Sequence, residues 1–145
     1  TSSRALRVLD APIMGGGDEM VTLYRGTTRL DALEAGQNQV FDMSRILKHQ
    51  ELAGHPANRQ GIFLTSQRST ADYYADLAGT QGRGLGPGVV EVQIPRSQFD
   101  DLVRRYGIDV EVPVPRSPLP GQTETLIPTQ AADEFNSLIR ILTGE

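Results

Sequence analysis

The chain has no cysteine among its 145 residues, which excludes disulfides and thiolate metal sites and lets it pass between oxidising and reducing compartments unchanged. It has no excess of positive charge either. A formal net charge of −4 argues against a protein that grips nucleic acid through a broad basic field, since that binding rests on Lys and Arg neutralising phosphates. An RNA substrate handled briefly stays compatible with it. No apolar run approaches the ~20 residues that cross a bilayer, and the first residues lack a basic segment followed by an apolar signal core. The expectation is a soluble protein without stable membrane association.

Several chemical signatures are missing as well. No Gly-x-Ser-x-Gly elbow supports a hydrolase triad. Gly82, Gly84, Gly86 and Gly88 lie in a flexible run without the strand, turn and helix that a dinucleotide fingerprint needs. His49 and His55 stand six apart across an expected helix end, with no acidic or thiol partners at zinc-site spacing, so they read as surface residues and no metal is expected. Internal repeats and a domain boundary are also lacking. A single domain over residues 1–145 follows, large enough to bury about 70% of the surface its unfolded chain exposes. Thr1 in place of an initiator Met fits a fragment cut from a larger polypeptide or a trimmed chain.

What is present is a series of short elements punctuated by 15 glycines and 9 prolines. Residues 1–20 read as a flexible lead-in. Strand patterns follow at Val21–Arg25, Ile62–Thr65, Val89–Ile94 and Thr123–Ile127, with a further one at Asp109–Val112. Helical spacing runs through Met43, Ile46, Leu47 and Leu52, with Asp42 or Ser44 as its cap and an end near Gly54. Ser69 and Asp72 have capping-box spacing before a helix carrying Tyr73 and Tyr74, and Ser97–Arg105 fits a short helix capped by Ser97. Gly79–Gly88 reads as a mobile loop flanking a pocket, and Pro113–Gly121 as a stiff extended one. Gln130–Leu142 is open between a closing helix and a helix followed by a strand. Such a pattern predicts an α+β domain built on antiparallel sheets.

Three polar residues then stand out by order. Arg25 closes the first strand, and its planar guanidinium suits a phosphate or pyrophosphate. Gly26 after it permits close backbone approach. Gly61-Ile62-Phe63-Leu64-Thr65-Ser66 forms the second strand, and Gln122-Thr123-Glu124 opens the last. Taken singly these are an ion-pair arginine, core aromatics at Phe63 and Tyr74, and a solvated strand edge.

In that order, arginine, hydroxyl, glutamate, residues 21–128 resemble an ADP-ribosyltransferase. Gly61–Ser66 followed by Ser69, Ala71 and Tyr74 is similar to the nicotinamide-pocket segment of that family, and Tyr24-Arg25-Gly26 with Thr65-Ser66 looks most like its bacterial toxin branch. The chain departs from the pattern at Phe63, where the polymerase branch has tyrosine, and at Leu64, where the toxins begin a Ser-Thr-Ser triplet. The resemblance implies an ADP-ribosyltransferase-like split sandwich of two antiparallel β-sheets with short flanking helices. It implies NAD as substrate and no metal, with Arg25, Ser66 and Glu124 catalytic and Arg25, Gly26, Phe63, Thr65, Ser66 and Tyr74 binding NAD. Gln122 would position the acceptor. Neighbouring strand residues face opposite ways, so either Thr65 or Ser66 could supply the supporting hydroxyl.

The same resemblance extends to the C-terminal toxin modules of large polymorphic, Rhs-like secreted proteins used in interbacterial competition. It implies a delivered effector acting in the target-cell cytoplasm, an acceptor that is a protein side chain or an RNA, and an immunity protein occluding the NAD cleft. The alternatives are an NAD glycohydrolase toxin and a non-catalytic binding module of the same fold.

Overall fold

A computed structural model of the chain describes residues 19–80, 86–114 and 119–144. The expected lead-in, the centre of the glycine-rich run and the middle of the proline-rich run lie outside the described residues.

The first strand, β1 (Met20–Thr28), alternates with Val21, Leu23 and Thr27 buried. Thr28 ends it and caps the next element, its Oγ1 accepting the Asp31 N–H at 3.2 Å. That element, α1 (Arg29–Asn38), matches no expected helix. It buries only Ala32 and Ala35 and leaves Leu30 and Leu33 exposed, so it has no strong apolar stripe to read. The next helix, α2 (Met43–Leu52), is capped by Asp42 and followed by Gly54 in the left-handed region at φ 81°.

After a single 3₁₀ turn over Ala57–Arg59 comes β2 (Gly61–Leu64), then α3 (Arg68–Thr80). The expected capping box does not form there. Ser69 lies inside the helix, Asp72 pairs with Arg68 at 3.2 Å, and the helix start is held by Gln67, whose carbonyl accepts the Thr70 and Ala71 N–H groups.

Strand β3 (Pro87–Pro95) buries Val90, Val92 and Ile94 on one face. In α4 (Arg96–Tyr106), Pro95 occupies the cap position without a side-chain hydrogen bond, so Ser97 is a residue of the first turn rather than its cap. Phe99 and Leu102 face the core, and Gly107 at φ 64° closes the helix. Strand β4 (Val112–Pro113) is shorter and later than the Asp109–Val112 expected, because Glu111 breaks the extended chain at φ 51°. The chain finishes with β5 (Thr123–Pro128), α5 (Thr129–Leu138) and β6 (Arg140–Gly144), the helix-then-strand reading of the C-terminus.

The architecture is α+β. Among the described residues two antiparallel sheets, ordered β1-β3-β6 and β2-β5-β4, are accompanied by five α-helices. A proline is tolerated in β4 because that strand lies at a sheet edge. One continuous core joins both sheets, with Ile62, Leu64, Val90, Val92, Ile94, Leu102, Ile127 and Phe135 fully buried. Among the described residues the sheets meet at a single bridge. Tyr24 and Thr65 exchange both backbone hydrogen bonds, at 2.7 and 2.9 Å.

Candidate active site

That bridge decides where the polar residues go. Tyr24 pairs with Thr65, and Leu64 pairs with Thr125. Arg25 is one residue beyond the first pair and Glu124 one residue before the second, so residues a hundred apart in sequence flank the same seam. Both line one cleft of about 1790 Å³, together with Tyr24, Gly26, Phe63, Thr65 and Tyr74. Its size exceeds the roughly 300–1,000 Å³ of a small-molecule pocket and leaves room for an elongated ligand.

Arg25 is half-buried, and its Nη1 donates to the Phe63 carbonyl at 3.2 Å. Burial pulls its pKa down to about 10, partly offset by the nearby Asp31 carboxylate. The guanidinium is therefore charged at neutral pH and incompletely solvated, which suits an anion. Farther along the cleft Asp31 accepts from Arg45 at 2.6 Å, and Arg45 also bonds Glu34, an ionic cluster where α1 meets α2.

Glu124 is 4% exposed. Its Oε2 accepts from Arg59 Nη2 at 2.9 Å and its Oε1 from the Tyr74 hydroxyl at 3.3 Å. Burial and then the charge of Glu124 push the Tyr74 pKa well above its usual value, so the phenol stays a donor. Arg59 also lies over the Phe63 ring, 5.1 Å from its centroid, and His55 meets that ring edge-on at 6.3 Å.

The two candidate hydroxyls part company, as alternation along a strand requires. Thr65 is buried and lines the cleft, with its Oγ1 accepting the Gln67 N–H at 3.0 Å. Ser66 is exposed, lies outside the cleft lining, and donates through Oγ and N–H to Glu111 Oε1 at 2.5 and 3.0 Å. Glu111 also accepts from the Thr123 and Thr125 hydroxyls at 2.9 and 2.8 Å. The burial of Glu111 opposes ionisation, but these hydrogen bonds outweigh it and hold its pKa below the ordinary value. Ser66 thus helps tie the end of β2 to β5 behind the cleft.

Gln122 is buried and also lies outside the cleft lining, its carbonyl accepting the Val114 N–H at 2.9 Å. Gly26 lines the cleft and has a packing service as well. A Cβ there would stand 2.0 Å from the Ala71 carbonyl and 2.6 Å from the Ala75 nitrogen, so the missing side chain lets β1 touch α3 and sets the position of Tyr74.

Arg59 is the cleft residue that sequence reading missed. It sits in the expected loop Gly54–Gly61, where a basic residue carries no positional signal. Among the described residues no group of three or more His, Asp or Glu is placed to hold a metal ion. Compared with known proteins, the chain matches no family model, no curated protein and no solved structure.

Proposed function

We propose that the chain is a mono-ADP-ribosyltransferase toxin domain with an ADP-ribosyltransferase-like split-sandwich fold, which cleaves NAD, releases nicotinamide and transfers ADP-ribose to a macromolecule. The observation that carries this reading is the convergence of Arg25, Thr65, Tyr74 and a buried Glu124 on one cleft at the seam of two antiparallel sheets. Arg25 takes the pyrophosphate. Glu124 accepts from the nicotinamide-bearing ribose and opposes the positive charge that develops on that sugar as the glycosidic bond breaks.

The bond between C1′ and the nicotinamide nitrogen breaks with its electron pair leaving on nicotinamide. An acceptor nucleophile forms the new bond at C1′ and gives its proton to solvent. The residues contribute by position and charge. Thr65, rather than Ser66, is the hydroxyl on the cleft side of the seam, and Tyr74 steadies the carboxylate through its hydroxyl. The mouth of the cleft carries exposed Leu30, Val40, Leu52 and Leu77, apolar surface that an immunity protein would cover. The natural setting in this reading is a delivered effector acting in the cytoplasm of a rival cell. Among the described residues no helix is long and apolar enough to cross a membrane.

Labelled NAD added with the protein to a target-cell lysate, followed by separate protease and nuclease digestion, tests the transfer. Label lost under one treatment identifies the acceptor as protein or RNA. Free ADP-ribose accumulating at full rate without a macromolecular acceptor would make the protein a glycohydrolase instead. A biological effect untouched by Glu124→Ala would make it a binding module.

A further inference from the structure

We propose that Arg59 is a displaceable latch on Glu124, which must swing off the carboxylate before a dinucleotide can be held for cleavage and which thereby weakens the apparent affinity for that ligand. This inference rests on the reading of the cleft as an NAD site.

Both oxygens of the carboxylate are engaged, one by Arg59 and one by Tyr74, and Glu124 is the only acid that pairs with Arg59 among the described residues. A guanidinium at 2.9 Å competes with any sugar hydroxyl for the same lone pairs. It also neutralises the charge that a developing sugar cation needs, and would face that cation as a like charge. The pair therefore suits the protein before ligand enters and opposes the reaction once ligand is in place.

The two partners differ in their freedom. The Glu124 side chain is 5% exposed and stands on the central strand of its sheet, whereas the Arg59 side chain is 39% exposed on a three-residue 3₁₀ turn. Arg59 can move into solvent along the Phe63 ring it already covers. Tyr74 stays to orient Glu124 after Arg59 leaves. Of the other arginines lining the cleft, Arg45 is held by Asp31 and Glu34, and Arg25 is tied to the Phe63 carbonyl and lies near Asp31, so Arg25 is the fixed anion site and Arg59 the moving one.

An ion pair whose cation is half-exposed is worth up to a factor of about five in an equilibrium. If it must open first, only about a fifth of the protein is competent, and the apparent dissociation constant is about five times the intrinsic one.

The test uses wild type, Arg59→Gln and Arg59→Lys. Calorimetry measures binding of a carbocyclic NAD analogue whose glycosidic bond cannot break, and nicotinamide release gives KM and kcat for NAD. Glutamine keeps a neutral donor to the carboxylate without the full charge, so Arg59→Gln binds the analogue about fivefold tighter and its KM falls by about the same factor. Arg59→Lys, which restores a cation, returns both values toward wild type. In wild type the Arg59 side-chain nitrogen resonances move to those of a solvated guanidinium as the analogue saturates.

Weaker binding by Arg59→Gln, or affinities equal within twofold for all three proteins, removes the latch while leaving the NAD reading in place. Unmoved Arg59 resonances at saturation do the same. An analogue that binds none of the three overturns the latch and the NAD reading together.

Discussion

Glu124 is a buried carboxylate on a strand whose neighbour Thr125 bonds Glu111 and whose Ile127 serves packing, and its own partners are a half-exposed arginine and a phenol. Desolvating such a pair costs about as much as its attraction returns, so the residue is a poor stabiliser. The isosteric Glu124→Gln should therefore leave the thermal midpoint unchanged or slightly higher while nicotinamide release falls by about 10²–10³. Thermal melts beside a nicotinamide assay decide this, and a large loss of stability would mark Glu124 as structural.

Glu111 predicts the opposite balance. Its pKa is below the ordinary 4.5 in the folded chain, so it holds protons less tightly folded than unfolded. It favours the fold at pH values above 4.5 and loses that contribution as the pH drops through its folded value. Urea midpoints at pH 6 and pH 3.5 should fall further in wild type than in Glu111→Gln, and parallel losses would refute the role. Arg25 and Glu124 were singled out by the order they share with the resembling family, and the structure puts both on one cleft. Arg59 was not singled out, because an arginine in a loop gains its meaning only from the carboxylate it reaches. Thr65 and Ser66 could be separated only once the Tyr24 bridge fixed which of them faces the seam.

At the scale of elements, four side-chain amides do work that backbone usually does. Gln50 of α2 donates to the Gly61 carbonyl at 2.8 Å and accepts its N–H at 2.9 Å. Asn136 of α5 does the same for Phe41, Gln39 for Ile141, and Gln67 for the Gly121 carbonyl and Thr123 N–H. Three of these clamps serve strands or the turn leading into one and the Phe41 clamp serves the coil before α2, each satisfying a backbone donor and an acceptor. Gln50→Ala would strand two buried groups at the start of β2 and should cost about 2–4 kcal/mol in urea unfolding. A cost below 1 kcal/mol would show that the clamp is dispensable.

Gly26→Ala is expected to displace α3 and with it Tyr74, losing both stability and nicotinamide release, with the midpoint and the rate measured on one preparation. Strong alternation made the strands legible, as in β3, where Val90, Val92 and Ile94 are all buried. Helix α1 was illegible because alanines form its buried face, and β4 was misplaced because the left-handed Glu111 is stabilised by threonines far along the chain.

At the scale of the whole molecule, two small sheets share one core but touch, among the described residues, through a single backbone bridge, and the cleft opens along that seam. Sheets joined this way bring an arginine from one and a glutamate from the other to a common wall without either strand being distorted. The α+β class could be inferred from composition and punctuation, whereas the order β1-β3-β6 beside β2-β5-β4 could not, since it depends on pairings between distant segments. The measurement that bears most directly on the account is nicotinamide release from NAD by wild type and Glu124→Gln in the presence of target-cell lysate. Wild type should turn NAD over with ADP-ribose joined to a macromolecule, and the variant should do so about 10²–10³ more slowly. Equal rates from the two proteins, or no release by wild type, would contradict the account.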